Sequence, residues 1–201
     1  WSFVRAGEVY PGYPKYRELQ YGHADGNQWV AAECDVSIRP GWFYHPEEDN
    51  RVKTVEQLTD LYYRSVGHNA TLLLNFPVDR NGLIHPVDSA NAVDFHTNIQ
   101  KQLAHNLLSG VVAEVSDERG GKYTAKAMTD NDYDTYWATN DDVISATIEF
   151  DLPQAEKINR MMLQEYIPLG QRVKSFVVEY NQAGEWIPVK FNEETTTIGY
   201  K

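Results

Sequence analysis

At 201 residues, with 29 Asp and Glu against 18 Lys and Arg and a formal charge of −11, the chain has room for one or two domains. It lacks the clustered basic charge that phosphate binding needs, which argues against a nucleic-acid partner. No stretch approaches the roughly 18 apolar residues of a membrane span, no apolar run follows a basic start, and the one cysteine cannot close an internal disulfide, so neither a membrane-spanning helix, a signal peptide nor a disulfide scaffold is expected.

Residues 1–27 show no sustained period and contain Pro11-Gly12-Tyr13-Pro14, the composition of a loop crossing a surface. Residues 29–38 (W-V-A-A-E-C-D-V-S-I) fit a short, largely buried strand, broken by Arg39-Pro40-Gly41 and followed by the aromatic run Trp42-Phe43-Tyr44-His45. Thr54-Val55-Glu56-Gln57 is a capping box, so a helix is expected from there, with Val55, Leu58, Leu61, Tyr62, Ser65 and Val66 on one face and Gly67 closing it. The apolar run at 71–76 (T-L-L-L-N-F) predicts a buried strand. A Pro/Asp/Asn/Gly loop then leads to Asp88 as the N-cap of a second helix reaching about Leu108, with Phe95, Ile99, Leu103 and Leu107 spaced by four and Gly110 as its stop. Strand, helix, strand, helix is the pattern of a parallel α/β sheet.

Beyond Gly110 the texture turns β-rich. Residues 146–152, 160–164 and 175–180 alternate, and Asn181-Gln182-Ala183-Gly184 gives a hairpin signal before residues 186–191, which together predict a β-sandwich. The boundary is placed near 109–113, giving an α/β portion at 1–110 and an all-β portion at 111–201. Both portions are acidic, with 9 basic against 13 acidic residues in the first and 9 against 16 in the second.

The string W-V-A-A-E-C-D-V-S-I-R-P-G-W-F-Y-H (29–45), the helix segment L-Y-Y-R-S-V-G-H-N-A and the run T-L-L-L-N-F-P-V-D-R-N-G-L-I (71–84) together resemble the C-terminal half of the catalytic barrel in the α-L-fucosidases of glycoside hydrolase family 29. The A-E-C-D-V-S-I-R-P-G-W-F-Y version is similar to the subgroup that prefers α-1,3 and α-1,4 linkages on branched, Lewis-type glycans. The resemblance covers about residues 1–106. Residues 119–139 (R-G-G-K-Y-T-A-K-A-M-T-D-N-D-Y-D-T-Y-W-A-T) resemble the opening of a discoidin-like domain of the coagulation-factor C type, a group that includes family 32 carbohydrate-binding modules.

The resemblance implies part of a (β/α)8 TIM barrel followed by a discoidin-like β-sandwich whose own sequence stops short. Retaining glycosidases use two carboxyl groups about 5 Å apart. The family's nucleophile Asp and acid/base Glu fall before the segment corresponding to Trp1, so no residue here is expected to be catalytic. Because an eight-stranded barrel takes about 250 residues, the remainder of the barrel is required for hydrolysis. What carries over is the side that holds sugar. Glu33 lies nine residues before Trp42, matching the family's spacing between a site carboxylate and an aromatic residue packed on the fucose methyl group. A carboxylate accepts hydrogen bonds from sugar hydroxyls, and an aromatic face covers the apolar methyl. Asp35 shares the strand face of Glu33 by period two and is assigned to the neighbouring sugar. His45 and His23 are candidate rim contacts, with Arg39 orienting the carboxylates.

Competing readings stay open. Glu33 and Asp35 could form a structural ion pair with Arg39, Trp42 could be plain core, and His23 and His45 could be loop histidines satisfied by backbone. His68, His85, His96 and His105 show no metal-ligand spacing, Cys34 beside two carboxylates is a poor nucleophile, and the sequon Asn69-Ala70-Thr71 is discounted beside a buried strand. In the β-rich portion, Asp130, Asp132 and Thr135 concentrate oxygen donors in a tight loop, suited either to a structural Ca²⁺ or to a solvated acidic turn. No cofactor is expected for catalysis.

The favoured function is a retaining exo-α-L-fucosidase acting on fucosylated oligosaccharides. The alternatives are a non-catalytic carbohydrate-binding protein and a β-sandwich that serves only as a spacer or docking face. A periplasmic, cell-surface or secreted bacterial setting follows from the family association alone.

Overall fold

The computed structural model describes residues 3–5, 7, 22–23, 25–68, 70–191 and 198. Pro11-Gly12-Tyr13-Pro14, most of the expected loop at 1–27, and Asn69 of the sequon lie outside the described residues. By spatial contact the chain divides into one unit of residues 1–101, 162–164 and 171–201 and a second of 102–161 and 165–170. The division in space thus falls before the sequence boundary at 109–113, and the chain returns to the first unit near its end.

The centre of the first unit is a strand–helix–strand unit. Strand β3 (Ala32–Ser37) pairs in parallel with β4 (Ala70–Asn75), with Glu33 opposite Thr71, Asp35 opposite Leu73 and Ser37 opposite Asn75. Parallel neighbours need a crossover, and α1 (Val55–Ser65) supplies it. The capping box expected at Thr54 is present: its hydroxyl accepts the Gln57 N–H at 3.3 Å, and the Gln57 side chain accepts the Thr54 N–H at 3.0 Å. Leu58 and Ser65 are buried as the face predicts, and beyond Ser65 the helix tightens into a 3₁₀ turn through the buried Gly67. Leu58 packs with Ile38 and Val52, and Leu61, Leu74, Phe76 and Phe95 lean on this core.

The first expected strand is split. Gln28–Trp29 (β2) leaves the β3 line to pair antiparallel with Phe3–Val4 (β1). Gly26 allows this approach, since a Cβ there would lie 2.6 Å from the Phe3 backbone carbon.

Helix α2 spans Pro86–Gln102, which shifts the expected 88–108 helix at both ends. Its cap is His85, whose Nδ1 accepts the Val87 N–H at 3.4 Å while its carbonyl accepts the Ser89 N–H. Pro86 at the first position suits a helix start. Past the early end of the helix Asn106 takes the Leu108 N–H on its side chain, a local turn of the kind that competes with helical bonding. Leu103 and Leu107 therefore fall outside the helix and are exposed.

At the end of the described chain, β7 (Glu179–Gln182) and β8 (Glu185–Pro188) form the hairpin that the Asn-Gln-Ala-Gly signal predicts. Ala183 and Gly184 both have positive φ, 54° and 92°, the pair of values a two-residue I′ turn needs. Ala183 carries a Cβ in that region, which costs it what Gly184 avoids.

The second unit contains one antiparallel pair, β5 (Glu114–Val115) with β6 (Ile148–Glu149). The strand expected at 146–152 shrinks to these two residues, and 160–164 forms none among the described residues. Alternation marks which faces would be covered, but a strand exists only where a neighbour completes its ladder. Polar loops carry the rest. Asp117 accepts the Asn140 N–H at 2.7 Å, Glu118 accepts the Ala125 N–H at 2.7 Å, and Arg119 donates to the Thr139 carbonyl at 3.1 Å. Tyr136 stacks on Tyr166 at 4.4 Å and leans on Tyr123 at 5.0 Å. Among the described residues no helix is long and apolar enough to cross a membrane.

Two substitutions separate the cap from the core. Thr54→Ala is expected to lower stability by about 1 kcal/mol and Leu58→Ala by about 2–5 kcal/mol, read from urea unfolding midpoints at unchanged m. A Thr54 loss equal to that of Leu58 would show that the cap carries more than its two hydrogen bonds.

Candidate functional site

Glu33 and Asp35 both lie exposed on one face of β3, beside the exposed Thr71 and Leu73 of β4. Cys34 and Val36 turn to the opposite, half-buried face. The period-two expectation for the two carboxylates therefore matches the strand. Strand rise separates them along it: at roughly 3.3 Å per residue, Asp35 stands about 7 Å and Glu33 about 13 Å from Ser37. Asp35 is the nearer of the two to the aromatic turn that follows β3.

That turn begins at Ile38 and is held from beneath. Arg39, expected to orient Glu33 and Asp35, instead points into the protein with no side-chain exposure. Its Nε donates to Asp88 Oδ2 at 2.7 Å and Nη2 to Asp88 Oδ1 at 2.8 Å, a two-pronged match to a carboxylate that is itself fully buried. Nη1 donates to Asp49 Oδ1 at 2.9 Å and to the His45 carbonyl at 3.4 Å, and the guanidinium lies 4.6 Å from the centre of the Tyr44 ring. The physical reason for the correction is burial. A guanidinium in the interior must find carboxylates there, and Asp88 and Asp49 are interior or half-buried while Glu33 and Asp35 face outward. The bidentate bond to Asp88 raises the Arg39 pKa further, against its own desolvation, and Asp49 adds to the rise.

Lys53 and Asn75 complete the floor. Lys53 Nζ donates to the Ser37 carbonyl at 2.6 Å, and its N–H donates to the Ile38 carbonyl. Asn75 Nδ2 donates to Ser37 Oγ at 3.1 Å and to the Trp42 carbonyl at 3.2 Å. The turn thus fixes the Trp42 backbone while leaving its ring half exposed, 51%, and that of Phe43 78% exposed.

Tyr44 is drawn under the turn, its hydroxyl 3.5 Å from Asp49 Oδ2, and burial followed by the Asp49 charge raises its pKa. His85 Nε2 lies 3.4 Å from the same carboxylate oxygen, with its ring 5.9 Å from that of Tyr44. His45 has an exposed side chain, 3.9 Å from Glu47 through Nδ1, and opens a 3₁₀ turn at Pro46–Arg51. His23 is half-buried and accepts the Arg5 N–H on Nδ1 at 3.2 Å, so backbone engages its ring. Sequence reasoning missed Asp49, Lys53, Asn75 and His85 in this floor. The usable signal was Arg39 itself, an arginine next to a buried-strand pattern that would require carboxylate partners.

In the 130–135 loop, Asp130 Oδ2 accepts the Thr135 hydroxyl at 2.7 Å and Oδ1 accepts the Asp132 N–H at 2.9 Å, while the Asp132 carbonyl lies 3.1 Å from the same hydroxyl. These hydrogen bonds, the backbone one first, hold the Asp130 carboxyl below its ordinary pKa. Two oxygens thus lie within hydrogen-bond distance of the Thr135 hydroxyl, and Asn131 adopts φ 60° to make the bend. The donor set is all oxygen, the chemistry a hard cation prefers, although it falls short of the roughly 6–8 oxygens Ca²⁺ takes. Among the described residues no group of three or more His, Cys, Asp or Glu side chains is placed to hold a metal ion.

With this geometry in hand, the chain can be set beside known proteins. Residues 112–200 match the F5/8 type C domain family. Across its whole length the chain is 37% identical to a rice (Oryza sativa subsp. japonica) protein provisionally named α-L-fucosidase 1, of which it spans 38%. A solved structure from Bacteroides thetaiotaomicron, likewise provisionally named an α-L-fucosidase, shares 40% identity at TM-score 0.86 over 99% of this chain and 43% of that one. The Ruminococcus gnavus family 29 fucosidase solved with fucose shares 34% identity at TM-score 0.83 over all of this chain and 40% of that one. The chain therefore spans less than half the length of these relatives.

Cys34 provides a direct check of the β3 geometry. Burial, not the neighbouring carboxylates, is the chief cause of its raised pKa. Alkylation at about pH 8 should run several-fold slower than for a free peptide thiol and recover as pH climbs through the raised value. The stability that comes from keeping the thiol neutral is present below the ordinary thiol pKa and is lost over the same rise. Alkylation at the free-thiol rate would place Cys34 on the outward face.

Proposed function

We propose that residues 1–110 form the C-terminal part of a (β/α)8 barrel in a retaining exo-α-L-fucosidase acting on α-1,3/1,4-fucosylated, Lewis-type glycans, and that residues 111–201 form a discoidin-like β-sandwich. The observation that carries this reading is the parallel β3–α1–β4 unit, whose strands end in a built aromatic turn, in a chain that aligns end to end with proteins named α-L-fucosidases. In barrels the chemistry sits at the C-terminal ends of the strands, the end at which Ser37, Asn75 and the Trp42 turn lie. The nucleophile Asp and acid/base Glu would come from barrel sequence preceding this chain. Residues here would hold the sugar: the Trp42 face against the apolar methyl side of fucose, and Asp35 and Glu33 as acceptors for sugar hydroxyls deeper along β3.

The test uses the full-length protein carrying this chain, with hydrolysis of a Lewis-type trisaccharide compared with 4-nitrophenyl fucoside. Loss of one charged acceptor should lower kcat/KM for the trisaccharide by roughly 10- to 100-fold in Asp35→Ala and Glu33→Ala. Cleavage of neither substrate, with fucosylated glycans still bound, would replace the enzyme reading by that of a carbohydrate-binding protein.

The same reading assigns a structural Ca²⁺ to Asp130, Asp132 and Thr135, where an ion would take over the Asp130 oxygens that Thr135 and Asp132 now occupy. Adding Ca²⁺ after EDTA treatment should raise the thermal midpoint of the wild type and leave that of Asp130→Asn unmoved. Equal behaviour of the two proteins would leave the loop as a self-bonded acidic turn.

A further inference from the structure

We infer that Arg39 and Asp88 are a positioning pair, set in the structure to aim the aromatic turn at Trp42 and Phe43 toward the sugar, and this rests on the fucosidase reading above. Trp42 and Phe43 are half or more exposed in this chain, and their direction here is set by the backbone that carries them. That backbone is closed at its base by one side chain: Arg39 enters the turn at its start, and its Nη1 returns to the His45 carbonyl six residues on. The same guanidinium lies against Tyr44 and is locked to α2 by the two-pronged bond with Asp88. Asn75 fixes the other side through the Trp42 carbonyl.

Stability alone does not explain the pair. Burying two charges is costly, and an apolar pair of similar size is often as stable or more so. An apolar pair, however, cannot reach the His45 carbonyl or hold Asp49 beneath Tyr44. The charged pair therefore contributes direction to the turn that carries those rings. Because those rings would contact sugar before and during bond cleavage alike, a misdirected turn weakens binding in both states and leaves the chemical step untouched.

The test compares wild type, Arg39→Lys and the double variant Arg39→Met/Asp88→Leu in the full-length protein labelled with 5-fluorotryptophan, the Trp42 fluorine resonance being assigned by its loss in Trp42→Phe. The double variant removes both charges together, so neither is left buried without its partner, as a single truncation would leave it. The expected result is a shifted or broadened Trp42 resonance with other tryptophan resonances in place, and a KM for the Lewis-type trisaccharide raised about tenfold at a kcat within about twofold of wild type. An unmoved Trp42 resonance overturns the inference. So does a fall in kcat at unchanged KM, since that reports only a smaller folded fraction. If the wild type cleaves no fucoside, the fucosidase reading fails on its own, and the fluorine resonance still decides whether Arg39 and Asp88 aim the turn.

Discussion

The buried pair between Arg39 and Asp88 is the constraint around which the first unit is arranged. Both side chains are wholly shielded, with bonds of 2.7 and 2.8 Å between them. A carboxylate in that position can exist only where a cation meets it, and the cation sits immediately after β3. The start of α2 is thereby tied to the end of β3, across 49 residues of sequence. The remaining guanidinium nitrogen reaches Asp49 and His45, so the segment between β3 and α1 is fastened to the same point. The hydrophobic core beside it joins Ile38 after β3, Val52 before α1 and Leu58 of α1. Apolar burial supplies the driving force there, and the ion pair supplies the register.

The arrangement divides labour between two faces of one short sheet. Cys34 and Val36 face the half-buried side, while Glu33, Asp35, Thr71 and Leu73 face outward. A parallel pair covered on one side by its crossover helix leaves the other side for another layer or a ligand. Around the strand ends the polar groups are nearly all spoken for: Ser37 by Lys53 and Asn75, the Trp42 carbonyl by Asn75, and Asp49 by Arg39, Tyr44 and His85. What is left unengaged by such a floor is aromatic surface, which suits a ligand that offers both an apolar patch and hydroxyls.

The second unit achieves order by other means. Its strand pairing is brief, and loops do much of the work through side chains that bond backbone. Asp117 and Glu118 accept N–H groups from Asn140 and Ala125, and Trp137 donates to the Asp117 carbonyl at 3.2 Å. Gly120 and Gly121 both adopt positive φ, 78° and 63°, which lets the chain reverse within two residues and stack Tyr123 near Tyr136.

Much of this could be read from sequence where the determinant is local. The Thr54 capping box, the parallel-strand texture of 71–76 and the turn at Ala183-Gly184 each depend on residues within a few positions, and each appears as expected. The strand face shared by Glu33 and Asp35 is likewise a matter of backbone period. Asp88 shows where that reach ends. Alone it reads as a helix cap, because Asp before an apolar-periodic stretch usually is one, and nothing nearby reveals that Arg39 lies across from it. His85, the actual cap, carries no common capping signature. The partners of Arg39, the exposure of Trp42 and the early end of α2 were decided by tertiary structure, because each depends on which distant groups arrive within bonding distance. Sequence by itself determined the periods, caps and turns, since those are settled by neighbours along the chain. Only the folded structure determined which charges are buried together, since desolvation belongs to a place in space and not to a position in the sequence.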